Sequence, residues 1–497
     1  PWPGRSRRGE WASLTGGRLR LGRMPPFAGF PSDPCRRLPG GTARRAVLLI
    51  AGGCLGIALV AGASPAARAA DGPGGQFVSG TYPGTTQNPM VFVNDAVGAG
   101  IFYGDGFYGA RSVIGNVEAG YVWGGHWVFN RTGLGLGNAV ERQIAAPGVT
   151  GEYDFHATMV GHVLAGTGYI AATGSTQAGL TYAGMGMAPL AKLWSGAIAT
   201  AYATDPADVG AFASTPASTV PVYRQMFQGI SGTRADVVNS SFGYDDPAAL
   251  EPESKAIDAL ARENPTVTFV AAAGNSGTAA VGSPGSVYNG ITVGSLGGTN
   301  FRTPSSFSSS GPVDFYNPQT NTTLTGVRVG VDIAAPGEQQ ALAAYLGPTG
   351  GLEPLTEITR NPSPTDLYFL NQAGTSFASP VVAGGIALMK DAAKGLFWVP
   401  QTALDSRVTK AVLMATADKT DGWNNGQATV GGVVRTTQAL DARTGAGAVD
   451  LEAAALTYVT APTLDLLGTG GGTIGASGWD LGAVAVGGTT DYFFDAT

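Results

Sequence analysis

Between residues 111 and 456, apolar runs of five to seven residues alternate with stretches rich in small residues at helical spacing. Strands are expected at Val113–Val117, Lys192–Ile198, Val237–Ser241, Val267–Ala273 and Ile291–Ser295. Helices are expected at Thr158–Ala165, Pro252–Arg262, Ser379–Ala393 and Asp405–Thr416. Strands that alternate with helices in this way imply an α/β fold, a mostly parallel sheet with helices on both faces. Two segments interrupt the rhythm and read as surface loops or edge structure: polar Phe315–Gly326, and Glu338–Asp366, rich in Pro and Gly. Residues 71–110 are Gly-rich without a strong period and read as an N-terminal extension. Beyond Tyr458 the pattern turns to Gly, Thr and alternating apolar residues, as in Gly482–Phe494. Residues 457–497 therefore read as the opening strands of a β-rich domain that this chain does not complete.

Composition fits a protein with a large core, since 44% of residues are hydrophobic and 13% charged. The charge is unevenly spread. Residues 1–69 hold 11 Arg and 2 acids, which leaves 18 basic against 33 acidic residues in the remainder, a net of −15. So acidic a body disfavours nucleic acid and anionic membranes as partners. Both cysteines, Cys35 and Cys54, lie in the first 70 residues, so the mature chain is expected to use neither disulfide nor thiol chemistry. Those residues read as an export leader. Arg44 and Arg45 precede an apolar run from Ala46 to about Ala63, and Ala67-Arg68-Ala69 supplies the small residues of a cleavage site. The run contains several Gly and ends at Ser64-Pro65, which favours cleavage over a retained membrane anchor. Met24 is the expected start, and the expected location is secreted, periplasmic or cell-surface.

The densest chemical signal is Gly374-Thr375-Ser376-Phe377-Ala378-Ser379-Pro380, followed by Val381-Val382-Ala383-Gly384. A Gly before the Ser allows close backbone approach, and a helix starting here would aim free N–H groups at charge developing beside Ser376. An isolated Ser in this setting would simply cap a helix. The full string, however, resembles the serine signature of subtilisin-like serine peptidases, which implies that Ser376 is a nucleophile.

A nucleophilic Ser needs a base, and the chain has three His: His126, His156 and His162. His156-Ala157-Thr158-Met159-Val160-Gly161-His162-Val163-Leu164-Ala165-Gly166 resembles the family's histidine helix, with Ala157 and Met159 as departures, and implies that His156 is the base. His162 falls on another helix face, and His126 lies among Trp123, Gly124, Gly125 and Trp127; both read as structural. The family places Asp at the end of its first core strand. Here Val113-Ile114-Gly115-Asn116-Val117-Glu118-Ala119-Gly120 occupies that place, with Glu118 as the implied orienting acid. Its extra methylene requires a small shift of strand or imidazole. Asp95, in a strand-like setting, and Asp154, close to His156 in sequence, remain rival acids.

Acyl transfer also needs an oxyanion site. Phe269-Val270-Ala271-Ala272-Ala273-Gly274-Asn275-Ser276-Gly277 resembles the family's oxyanion segment, which implies Asn275 and the Ser376 N–H as donors. Asp236–Gly243 resembles the strand whose edge pairs with substrate, which implies Ser241, Phe242 and Gly243 in substrate binding. Ala273 and Gly274 join them as walls of an open S1 pocket for apolar side chains. Gly186–Leu193, Phe307–Pro312, Ala334–Gly337 and Gly445–Asp450 also match family stretches, so the resemblance spans about 111–456.

The implied activity is a secreted serine endopeptidase acting on protein or peptide substrates through an acyl-enzyme, with no cofactor required for the chemistry. Calcium sites are frequent in the family, but no ligand loop can be assigned here. An α/β-hydrolase would show G-x-S-x-G and the order Ser, acid, His, and neither is present. The acidic sedolisin relatives would carry Asp where Asn275 stands. The alternative of another class is a catalytically silent binding or adhesion module on the same fold.

Overall fold

The apolar runs become neighbours in one sheet. The computed structural model describes residues 7–9, 80–81, 92–170, 179–203, 210–298, 300–347 and 368–458. The expected leader and the expected β-rich tail lie outside the described residues, apart from 7–9 and the end of the last helix. The central sheet is built from β1 (Val113–Glu118), β2 (Val140–Ala145), β3 (Lys192–Ala197), β4 (Val237–Ser240), β5 (Thr268–Ala272), β6 (Gly290–Gly297), β7 (Thr303–Pro304) and β8 (Ile333–Pro336). They run in the order β7-β6-β5-β4-β1-β3-β2, with β8 also paired to β6. Every pairing is parallel except β6 with β7. β1, β4, β5 and β6 are buried along their whole length, as parallel strands covered on both faces must be. β2 alternates exposed and half-buried positions and carries Glu141 and Arg142, as suits an edge strand.

Six helices flank the sheet: α1 (Phe155–Ala165), α2 (Pro216–Gln228), α3 (Pro252–Glu263), α4 (Thr375–Gly395), α5 (Ser406–Ala415) and α6 (Leu451–Tyr458). α1 and α4 pack together on one face through Val160, Val163, Leu164, Val381, Val382 and Ile386. α2 and α3 cover the other face with Tyr223, Phe227, Ile257 and Leu260 against Trp194 and Phe269. α4 is buried on all sides from Thr375 to Ala393, which explains its apolar composition around the whole circumference. Its one buried cation, Lys390, uses its three N–H donors on Asp236 O, Thr266 O and Thr268 Oγ1, each at 2.8 Å.

Several expectations need correction. α4 begins at Thr375 rather than Ser379, which puts Ser376 itself in the first turn and Pro380 in the second. α2 and β2 were not anticipated, although Thr215 and Ser218 form a capping box with Pro216 at the first helical position. Residues 315–326 are at the surface as expected, within the hairpin of Val313–Asn317 with Thr322–Arg328. Part of Glu338–Asp366 is no surface loop: Gln340–Ala343 is a fully buried strand paired with Tyr368–Gln372. It is held beneath α1, where His162 Nδ1 accepts the Ala343 N–H at 3.0 Å. Residues before 111 also pack into the main core, through Val93, Val97, Phe102 and Tyr103. Asp95 stands on the helical turn Val93–Ala96 rather than on a strand.

Candidate active site

Parallel register sets the C-terminal ends of three strands side by side, with Ser240 opposite both Val117 and Ala271. One step beyond, Glu118 ends β1, Ser241 follows β4, and the chain after β5 reaches Asn275. Helix N-termini meet this edge from one face. His156 lies in the first turn of α1 and Ser376 in the first turn of α4. Because α1 and α4 pack on each other, the two side chains are brought to one place, and the Phe377 ring lies 5.9 Å from the His156 ring. Ligand sites at the carboxyl ends of parallel strands are a general feature of such sheets.

His156 Nδ1 is 3.1 Å from Glu118 Oε2. The other carboxylate oxygen, Oε1, accepts the Ser241 N–H at 2.8 Å. Glu118 is 1% exposed, so both its partners are protein groups in a dry setting. Ser376 Oγ donates to the Ser241 carbonyl at 3.1 Å, and Ser241 Oγ donates to the Ser376 carbonyl at 3.0 Å. The second bond has a local cause. Pro380 has no N–H to give the carbonyl four residues earlier, so Ser376 O is left open and Ser241 Oγ fills it. Ser241 therefore joins the carboxylate to the serine with one residue. Behind it, Asn239 Nδ2 donates to Ser241 Oγ at 3.0 Å and Asn239 Oδ1 accepts Ser379 Oγ at 2.6 Å.

The imidazole of His156 is shifted by opposing causes. Burial lowers its affinity for a proton, but the hydrogen bond and charge of Glu118 and the charge of Asp154 outweigh burial, so the net shift is upward. Asp154 is not the Nδ1 partner. It caps α1, accepting the Ala157 N–H at 2.7 Å, and burial pushes it up to about 6. His162 is pulled down to about 3 by burial and by His126, and its Nδ1 accepts a backbone N–H, so it stays neutral. His126 is fully buried, and its Nδ1 accepts the Val128 N–H at 3.3 Å at the start of a short turn.

Asn275 is exposed and its side chain is pinned on one side only: Oδ1 accepts both the N–H and the Oγ1–H of Thr375 at 2.9 Å. That fixes Nδ2 towards Gly374. A methyl placed on Gly374 would stand 3.4 Å from Asn275 Nδ2 and 3.6 Å from Ser376 N. The missing side chain thus leaves a space beside Asn275 Nδ2 and Ser376 N. Gly374 has φ 164°, an extended conformation open to any residue, and a methyl there would meet its neighbours at ordinary contact distance, so neither backbone nor packing demands glycine. Gly274 differs: its φ of +102° is left-handed, and its N–H donates to Thr375 Oγ1 at 3.1 Å.

The remaining candidates divide. Ser241 is fully buried and spends its N–H, C=O and Oγ inside the site, so it is not free to pair with a substrate. Phe242 and Gly243 continue the strand with backbone groups that engage no partner among the described residues. The Ala273 methyl packs with Val281, Val313 and Val331, and its N–H bonds Val293 O. Ala271 and Ala272 are buried as well, packed within the sheet, while Gly274 is half-buried at its edge. A cavity of about 260 Å³ near Phe301, Arg302, Asp418 and Glu452 shares no lining residue with the site. The bridging role of Ser241 and the buried Tyr202 hydroxyl beside Gly120 had no sequence signal, because both depend on strand register.

The profile of the subtilase family, peptidase S8, matches residues 129–447. The chain belongs to the subtilase family. The matched stretch contains His156, Asn275 and Ser376, and Glu118 precedes it. No curated protein matches the chain. Among solved structures, the chain is similar to the prenylagaramide maturation protease PagA, at 20% identity and TM-score 0.47, over 73% of this chain and 98% of that one. It is also similar to fervidolysin from Fervidobacterium pennivorans, a keratinolytic enzyme related to subtilisin, at 20% identity and TM-score 0.46, over 73% of this chain and 45% of that one. The subtilase therefore has a mainly parallel sheet with helices on both faces and the fold of a serine peptidase. Among the described residues no helix is long and apolar enough to cross a membrane.

Proposed function

We propose that this subtilase is an active serine endopeptidase in which Ser376 is the nucleophile, His156 the general base and Glu118 the acid that orients it. The observation that carries the reading is the joint hold on one centre: Glu118 takes the imidazole Nδ1 through one oxygen and the Ser376-binding residue Ser241 through the other. With Nδ1–H donated to Glu118, Nε2 is left as the acceptor a base needs.

A peptide strand pairs with the open backbone of Phe242 and Gly243, a mode that gives affinity with little side-chain preference. Ser376 Oγ turns from the Ser241 carbonyl to His156 Nε2, loses its proton there and attacks the peptide carbonyl carbon. The oxygen that gains charge enters the space in front of Gly374, between Asn275 Nδ2–H and the Ser376 N–H. His156 then gives its proton to the departing amine, and water repeats the sequence on the acyl-enzyme. The apolar run and cleavage site near residue 69 support export of the enzyme, and the acidic body supports protein or peptide substrates rather than nucleic acid.

A fluorophosphonate probe tests the proposal. Wild-type protein should be labelled on Ser376 and should hydrolyse casein or a peptide library. Ser376→Ala should lose labelling and several orders of magnitude of turnover. A folded wild-type protein that takes no label and cleaves nothing would favour the silent binding module.

A further inference from the structure

A second carboxylate grips the same histidine. Asp154 is 2% exposed and closes the N-terminus of α1, where its carboxylate accepts backbone N–H groups of Ala157 and of His156 itself. The loop that carries it is locked to the loop after Glu118. Tyr121 N–H donates to Glu152 O at 2.8 Å, and Asp154 N–H donates to Tyr121 O at 2.9 Å. Gly120 sits at the crossing, where a methyl would come within 2.8 Å of Asp154 Cβ. Glu118 and Asp154 are therefore held as a rigid pair, one on the imidazole ring and the other on the backbone that bears it.

We propose that Asp154 is a positioning residue which fixes the His156 backbone and adds a second negative charge favouring the protonated imidazole formed during peptide hydrolysis. A cap needs only an acceptor, and a charged carboxylate with almost no contact with water is an expensive way to provide one. The groups facing it are consistent with a shared electrostatic unit. They are His156 from its own segment, Glu118 at the end of β1, Tyr202 from the strand Ala201–Tyr202, and Tyr345 after the buried strand Gln340–Ala343; Glu152 acts on the same two tyrosines. Among the described residues the Tyr202 hydroxyl is buried without a partner. The charge that acts most strongly on Asp154 is that of the His156 imidazolium, ahead of Glu118, so the two groups are coupled directly.

The test separates the charge from the cap. Asn caps as well as Asp and is neutral, so Asp154→Asn keeps the turn and removes the charge. The proton NMR titration of the His156 Cε1–H is the direct readout, in a chain with three histidines and with His156→Gln to assign the signal. In D154N the His156 midpoint should fall by roughly half to one pH unit, and the acid limb of kcat/KM should move down with it. Asp154→Ser, which also caps, serves the same purpose should D154N not fold. A folded, neutral variant with an unchanged His156 midpoint would overturn the proposal. The kinetic half rests on His156 being the base, while the NMR half does not. A midpoint that moves in a protein unable to cleave peptides would sustain the role of Asp154 and sink the peptidase reading instead.

Discussion

Replacing Glu118 by Gln sets two hydrogen bonds against each other. The carboxylate accepts at both oxygens, from His156 Nδ1–H at 3.1 Å and from Ser241 N–H at 2.8 Å. An amide has one acceptor and one donor, and the site demands two acceptors. If the amide oxygen stays on Ser241, the NH2 faces Nδ1, which must then accept; the ring becomes the Nε2–H tautomer and cannot take a proton from Ser376. If the oxygen turns to His156, a buried backbone N–H faces an NH2, at a cost of about 1–3 kcal/mol. Either arrangement also loses the negative charge that stabilises imidazolium. Together the two losses should reduce kcat/KM by about 10³- to 10⁴-fold, or about 4–5.5 kcal/mol of transition-state stabilisation. A fluorogenic peptide assay measures it, with circular dichroism to establish folding. The pH dependence of stability is a second check. His156 is raised above its ordinary value of 6.5, so the stabilisation from its pairing with Glu118 is complete below that pH and is lost as pH rises through the raised value. The difference in melting temperature between wild type and E118Q should therefore be larger at pH 5.5 than at pH 9. An E118Q protein that folds and works within tenfold of wild type would refute the reasoning.

Two further outcomes follow from packing. Gly374→Ala puts a methyl in the space between Asn275 Nδ2 and Ser376 N without straining an extended φ; kcat should fall by about 10²-fold or more while the melting temperature moves little, and normal turnover would mean the oxyanion lies elsewhere. Lys390→Met removes the ammonium donor from Thr266 O and Thr268 Oγ1 and one of the two donors to Asp236 O, which keeps the Thr268 N–H; urea unfolding should show a loss of about 1–3 kcal/mol, and an unchanged midpoint would refute the stabilising role of Lys390.

Linear signals were strong where one element carries its own meaning. The strand runs were legible because parallel strands covered on both faces must be apolar throughout, and Ser376 and His156 were legible because each opens a helix with a characteristic string. Asn275 was legible as a polar turn at the end of an apolar strand. The strand-end motif singled out Glu118 but left Asp95 and Asp154 as rivals, since all three are acids near an apolar segment. Their surroundings differ only in three dimensions: pairing of β1 with β4 sets Glu118 beside Ser241, whereas Asp154 is committed to the cap of α1 and Asp95 to a separate helical turn. The burial of the alanines at the end of β5 was not legible for the same reason, because a small side chain in a strand looks alike whether it lines a cleft or lets a neighbour pack closely. Local pattern thus determines which segments are strands, helices and capped turns. Which side chains meet is a property of register and helix packing, set by contacts between segments more than a hundred residues apart, such as Ser241 with Glu118 and with Ser376.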